Sequence, residues 1–123
     1  RKQYFALPKQ PTPANEPPGQ YQAVTELRGG RHSGWFHIID REGVSYGCSY
    51  AHLIEWIMTP PTMITLMTTT RLFIIEGQNI EKIQSLLLEG KLVALREFNS
   101  AIHLKPDDGN AVIIETITIQ DQG

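Results

Sequence analysis

The sequence predicts an α+β domain: a small antiparallel β-sheet, open or partly closed into a barrel, with one main α-helix. Three observations support this class. Runs rich in β-branched and aromatic residues follow one another with turn residues between them, residues 79–89 show helical spacing of their apolar positions, and no alternation of the βαβ kind is present. We therefore expect about five to seven strands, mostly in hairpin succession.

The chain opens with a proline-rich leader over residues 1–22. Its prolines are Pro8, Pro11, Pro13, Pro17 and Pro18. Proline lacks a backbone donor and favours extended conformations, so we expect this segment to be a disordered linker, followed by a single domain over residues 23–123. Pro8-Lys9-Gln10-Pro11 also matches the PxxP pattern that proline-binding grooves recognise, although such matches often arise by chance.

The first predicted hairpin joins residues 35–39 to residues 44–48. The first run, Trp-Phe-His-Ile-Ile, has strong strand composition, and Asp40-Arg41-Glu42-Gly43 after it is typical of a turn. Residues 50–58 fit either a short buried helix or a strand, because so short an apolar run does not distinguish them. We favour a strand, since two prolines end the run and another β-rich run follows.

Residues 63–67 and 72–76 predict a second hairpin, with polar residues 68–71 between them. One long strand is the alternative, because threonine is also a good strand residue. Residues 92–98 and 101–104 are further extended segments. Residues 111–120 give the longest strand signal, after a turn rich in Pro, Asp and Gly.

The single helix is predicted from Asn79 to Glu89. Asn79 is a candidate N-cap, and Glu81 would place a negative charge in the first turn. Ile80, Ile83, Leu86 and Leu87 form an apolar stripe at helical spacing. Gly90 is a natural C-terminal stop, because glycine readily adopts the left-handed conformation.

Composition excludes several classes of function. The net charge is −2, which gives no global attraction to nucleic acid or to an anionic membrane. Cys48 is the only cysteine, so no disulfide can form within the chain, and a reducing, cytoplasmic location is expected. No apolar run is long enough for a membrane helix. The sequence contains neither of the two glycine-rich motifs that bind phosphate, GxxxxGK[ST] and GxGxxG. We therefore expect no cofactor.

One stretch, residues 28–41, combines basic, aromatic and glycine residues. Its candidate ligand-binding residues are Arg28, Arg31, His32, Trp35 and Arg41. Basic groups beside aromatic rings suit single-stranded nucleic acid or another anionic ligand. The alternative is a glycine-rich loop followed by a strand whose aromatic residues enter the core.

A thiol or metal enzyme is the third hypothesis. On a helix, Cys48 and His52 would share a face with Glu55 nearby, and zinc accepts all three ligand types. A reactive cysteine, however, needs a cationic neighbour or a helix N-terminus to lower its pKa, and none is evident nearby. We therefore predict neither a catalytic residue nor a metal site.

The favoured hypothesis is a non-catalytic interaction module that associates with a protein, including a second copy of itself. The runs at residues 63–75 and 111–119 carry more apolar surface than one short helix can cover. Uncovered sheet faces and edges need pairing or shielding, and a homo-oligomer provides it. The alternative is a monomer whose sheet layers cover each other.

Overall fold

The computed structural model describes residues 19–122, and within them two four-stranded sheets and one α-helix share a single hydrophobic core. In chain order the elements are β1 (Gly19–Gln20), β2 (Val24–Glu26), β3 (Trp35–Ile39), β4 (Ser45–Ser49), a 3₁₀ turn (Tyr50–His52), β5 (Leu53–Thr59), β6 (Met63–Thr68), β7 (Arg71–Gln78), α1 (Glu81–Glu89), β8 (Leu92–Arg96), β9 (His103–Leu104) and β10 (Ile113–Asp121). The predicted α+β class is confirmed.

One sheet is antiparallel throughout, with the strand order β10-β7-β6-β5. In β6 the side chains alternate between buried and partly exposed, with Ile64 and Leu66 fully buried. Ile64 lies opposite Ile75, and Leu66 lies opposite Phe73. Residues opposite each other in a sheet share a face, so these four side chains form one inner face against the core.

The second sheet is mixed, with the strand order β2-β8-β3-β4. Its β3–β4 hairpin is antiparallel as predicted, but β3 and β8 run parallel, and so do β1 and β9 in a separate two-stranded pair. The predicted antiparallel pairing is thus found in most strand pairs, and two parallel pairs accompany it. The chain leaves β4, forms β5 to β7 and α1, and returns beside β3, and such a long crossover can join parallel strands.

The sheets stay open rather than closing into a barrel, and they contain more strands than expected. The difference comes from β1, β2 and β9, which are only two or three residues long. Strands this short leave almost no pattern in a sequence, because period-two alternation needs about four residues to be recognised.

Helix α1 spans Glu81–Glu89 and begins two residues later than predicted. Asn79 is not its N-cap: it has a positive φ of 58°, and its side-chain amide donates to the carbonyls of Gly109 and Ala111. Asparagine tolerates this left-handed conformation and here turns the chain from β7 into the helix. At the other end the prediction is confirmed, because Gly90 has φ 67° and donates to the carbonyls of Leu86 and Leu87.

Both predicted hairpins form, and residues 50–58 are resolved in favour of a strand. After the 3₁₀ turn, in which the Ser49 hydroxyl accepts from the Ala51 N–H at 3.1 Å, β5 begins at Leu53 and pairs with β6. Residues 68–71 form the turn between β6 and β7, where the Thr68 hydroxyl accepts from the Arg71 N–H at 2.9 Å.

The packed chain starts before residue 23, where the domain was predicted to begin. Gly19–Gln20 pairs with His103–Leu104, and Tyr21 is buried in the core. The Tyr21 hydroxyl donates to the Arg96 carbonyl and accepts from the Ile114 N–H at 3.1 Å. Burial raises the pKa of Tyr21, so the phenol keeps the proton that it donates. The rest of the predicted leader, with its PxxP match, lies outside the described residues.

Helix α1 has nine residues and is therefore about 14 Å long, against about 30 Å for the hydrocarbon core of a bilayer. Within the part of the chain that the structure describes, no helix is long and apolar enough to cross a membrane.

Candidate functional site

The candidate ligand-binding residues predicted in the stretch of residues 28–41 lie at the two ends of β3. Trp35 opens the strand, and Arg41 follows its last residue by two positions. At about 3.3 Å per extended residue, the two lie up to about 20 Å apart. Trp35 and Arg41 therefore do not belong to one compact site.

Arg41 ties the two sheets together. Its guanidinium lies 3.1 Å from Oε2 of Glu97 and donates to the carbonyls of Phe98 and Glu115 at 3.2 and 2.7 Å. Glu97 is only 5% exposed, and its carboxylate also accepts from the Arg41 N–H at 2.8 Å and the Ile117 N–H at 3.1 Å. Glu115 is the extra residue of a bulge in β10. The contacts of Arg41 are thus those of a structural residue.

The loop with Arg28, Arg31 and His32 lies against the C-terminal end of α1. The Ser33 N–H donates to the Gly90 carbonyl at 2.7 Å, and His32 packs against Gly90. All three candidate side chains are exposed. The nearby cleft of about 560 Å³ is lined by Glu26 and Glu89 as well as by Arg28 and Lys91. Two carboxylates and the negative end of the helix dipole weaken the attraction of this loop for anions.

Trp35 lies on the outer face of the mixed sheet and is 62% exposed. It is opposite Ser49, while His37, the next residue on the same face, is opposite Gly47. A Cβ built at Gly47 would meet no atom within 4 Å, so the sheet surface beside the indole is open. Trp35 also lines a cleft of about 160 Å³ between β4 and the β6–β7 turn.

The cleft, which we call the seam cleft, combines aromatic and polar side chains. Its lining residues are Trp35, Gly47, Cys48, Ser49, His52, Thr68, Thr69, Thr70, Arg71 and Phe73. No carboxylate is among them, and two residues, His52 and Arg71, have basic side chains. Of the lining residues, Trp35 was predicted from the sequence to bind a ligand, whereas Thr68, Thr69, Thr70 and Arg71 belong to a turn that tertiary packing brings to β4.

Cys48 and His52 do not form the helical pair that a thiol or metal site would need. Only Tyr50–His52 is helical, and Glu55 lies on β5. Cys48 is buried, and burial raises the pKa of its thiol, which opposes formation of a nucleophilic thiolate. Among residues 19–122, no three His, Cys, Asp or Glu side chains are close enough together to hold a metal ion.

The outer face of the antiparallel sheet is a second candidate surface. Strand pairing places three rows of side chains on it: Glu55, Met67, Leu72 and Gln120; Ile57, Thr65, Ile74 and Thr118; and Thr59, Met63, Glu76 and Thr116. We call this surface the outer antiparallel face. Ile57 is 51% exposed, and Met63, Met67, Leu72 and Ile74 are partly exposed.

No helix or strand among the described residues packs over the outer antiparallel face. Helix α1 lies on the other side of the sheet, where Gln84 accepts a hydrogen bond of 2.9 Å from the indole N–H of Trp56. Trp56 is opposite the buried Leu66 and so belongs to the inner face. The uncovered apolar residues therefore come from β5, β6 and β7.

The sequence predicted uncovered apolar surface at residues 63–75 and 111–119, and this prediction is correct only for the first run. Residues 63–75 do contribute exposed apolar surface, but the isoleucines of the run at residues 111–119 face inward. Ile113 and Ile117 are buried, and Ile119 packs against the core. β10 is an edge strand that gives its apolar side to the core and threonines to the outer face, because a strand alternates sides at every residue.

Comparisons of the chain with protein-family models, with curated proteins and with solved structures found no match.

Proposed function

We propose that this protein is a non-catalytic interaction module that self-associates by packing the outer antiparallel faces of two copies together. The observation that carries the proposal is the uncovered apolar centre of that face. Ile57, Ile74 and Met67 lie on three adjacent strands, each with part of its surface open to solvent. Burying apolar surface of this kind is the main favourable term in protein association.

A second copy suits this face better than a charged partner. The middle row contains only isoleucine and threonine, and the two carboxylates, Glu55 and Glu76, belong to the rows on either side. Two such faces related by a two-fold axis bring uncharged centres together while the carboxylates stay near the rim. Sheets commonly pack in this way at about 10 Å, with side chains from both faces interdigitating.

The experiment is a light-scattering measurement of mass after size exclusion, at several protein concentrations. The unaltered chain is expected to give a dimer that dissociates on dilution. Ile57→Lys places a charge at the centre of the contact, and we expect it to weaken dimerisation at least about tenfold, because an unpaired charge is costly to desolvate. Leu88→Lys is the matched control, since Leu88 is 70% exposed on α1, away from this face.

Two outcomes would overturn the proposal. One is a monomer at every concentration that stays soluble. The other is equal weakening by Ile57→Lys and Leu88→Lys, which would place the contact elsewhere. A chain that begins at Gly19 tests whether residues 1–18 occupy the face. If this chain dimerises and the chain of residues 1–123 does not, residues 1–18 cover the face and self-association is not the role of the longer chain.

A further inference from the structure

The seam cleft has the size and composition of a site for one planar ring. Its volume is about 160 Å³, and an engineered protein cavity of about 150 Å³ is large enough for a benzene ring. Trp35 supplies an exposed indole at the cleft, and Phe73 and Cys48 contribute buried apolar surface. Aromatic side chains favour stacked or edge-on contacts with other rings, so a flat ring fits these walls.

The polar side of the cleft favours a ring that carries an anionic group. Arg71 lies in the lining, 42% exposed, with its guanidinium 5.3 Å from the centre of the Tyr46 ring. Its partner, Asp121, is 3.4 Å away and 87% exposed. Such an exposed ion pair contributes little free energy, so a phosphate can replace the carboxylate and form a stronger, bidentate contact with the guanidinium.

Hydroxyl and imidazole groups complete this side. Thr69 and Thr70 are exposed at the tip of the β6–β7 turn, and His52 is held beside them because its carbonyl accepts from the Thr69 N–H at 3.1 Å. These side chains can donate to phosphate oxygens or to the polar edge of a base. The lining contains no carboxylate, whereas the cleft near Arg28 contains two, so the carboxylate that a phosphate displaces at the seam cleft is that of Asp121 beside the guanidinium.

We propose that the seam cleft binds one nucleotide unit, with the base stacked on Trp35 and the phosphate held by Arg71. The unit belongs either to a free nucleotide or to a single-stranded nucleic acid, since both present a base and a phosphate together. This site is separate from the outer antiparallel face and does not depend on self-association.

The test uses the complete chain labelled with ¹⁵N, and it follows the two indole N–H signals during titration. Adenosine monophosphate and a short single-stranded oligothymidylate are the probes, and a duplex of equal length and inorganic phosphate are the controls. The signal of Trp35 is expected to move with at least one of the two probes. The signal of Trp56, whose indole is hydrogen-bonded to Gln84, serves as the internal reference.

Variants then identify the contacts. We expect Trp35→Ala to weaken binding at least about fivefold, because base stacking on an aromatic side chain accounts for at least that factor. Trp35→Phe should restore part of the affinity. Arg71→Gln should weaken binding of either probe more than Arg28→Gln, which removes an exposed charge outside the cleft.

The outcomes separate the sources of the nucleotide. Movement with the mononucleotide supports a free ligand, and movement with the oligothymidylate alone supports a single strand. The proposal is overturned if neither probe moves the Trp35 signal, if inorganic phosphate or the duplex moves it as much as they do, or if Arg28→Gln and Arg71→Gln weaken binding equally. The last result would indicate general attraction to positive charge.

Discussion

The outer face of the antiparallel sheet carries Ile57, Met67 and Ile74 at its centre, whereas the outer face of the mixed sheet carries small or polar residues around Trp35. On the mixed sheet, the pairing of β3 with β4 places Ser49 opposite Trp35 and Gly47 opposite His37. The inner faces of the two sheets, in contrast, are built alike from isoleucine, leucine and phenylalanine.

The inner faces of the two sheets stabilise the fold, whereas their outer faces leave large apolar side chains exposed. Both inner faces are completed inside the molecule, so they explain stability. The outer antiparallel face and the surface around Trp35 stay exposed within residues 19–122, and their chemistry differs: a broad apolar surface suits another sheet, and one exposed indole beside a small cleft suits a single ring.

The largest effect on stability is expected from loss of the Glu97 contacts that join the two sheets. Glu97→Ala removes the carboxylate that pairs with Arg41 and leaves the Ile117 N–H without its acceptor. Glu97 accepts from the N–H groups of both Arg41 and Ile117, and a buried donor left without an acceptor costs about 1 to 3 kcal/mol, so we expect a fall of about 3 kcal/mol in the free energy of unfolding. Urea denaturation measures it, with the exposed Glu42→Ala as control. Equal stability of the two variants would show that the tie contributes nothing.

Gly77 and Gly47, one on each sheet, differ in the space that is available for a side chain. At Gly77 on β7, a Cβ would lie 1.8 Å from the Ile113 carbonyl oxygen, a backbone atom, whereas a Cβ at Gly47 on β4 meets nothing within 4 Å. We expect Gly77→Ala to lower the free energy of unfolding by about 2 to 3 kcal/mol, and Gly47→Ala to change it by about 0.5 kcal/mol or less. Thermal unfolding of both variants tests the contrast, which fails if their midpoints shift alike.

The smallest effect concerns β1 and β9, which belong to neither large sheet. His103 packs against Tyr21 and Phe98, and its Nδ1 accepts from the Asn99 N–H at 3.0 Å. Burial, and to a lesser extent the charge of Arg96, lower the pKa of His103 below 6.5. The unfolded chain therefore takes up this proton first as the pH falls.

Stability from His103 is thus complete above about pH 6.5 and declines as the pH falls through the folded-state pKa. Replacing it by glutamine should remove that part of the pH dependence and shift the unfolding midpoint by no more than a few degrees. Thermal unfolding of both proteins at a series of pH values measures the difference. Parallel curves for the two proteins would assign the pH dependence to other groups.

The features that were predicted correctly from the sequence are local. The two hairpins, the strand at residues 53–59 and the helix end at Gly90 depend on neighbouring residues, since turn chemistry and periodicity act within a few positions. Asn79 failed as an N-cap although its type is suitable, because its amide reaches carbonyls about thirty residues further along the chain. Arg41, a predicted ligand residue, also depends on distant partners: its acceptors come from β10 and from the chain that follows β8.

The candidate surfaces were only partly visible in the sequence. An exposed Trp35 and a surplus of apolar residues in β6 and β7 follow from composition and alternation. The outer antiparallel face could be predicted only with knowledge of the register of four strands, because a shift by one residue would turn Ile57 and Ile74 towards the core. The seam cleft forms because the β6–β7 turn lies beside β4. This is a contact between residues that are distant in the chain, so the sequence did not predict it.

The class of the fold, the hairpins and most of the helix follow from the amino-acid sequence, because they depend on periodicity and on short-range turn chemistry. Only the tertiary structure decided that β8 lies parallel to β3, that Arg41 joins the sheets through Glu97, and which sheet faces stay uncovered. Each of these is a contact between distant segments, selected by the burial of a shared core rather than by any local preference.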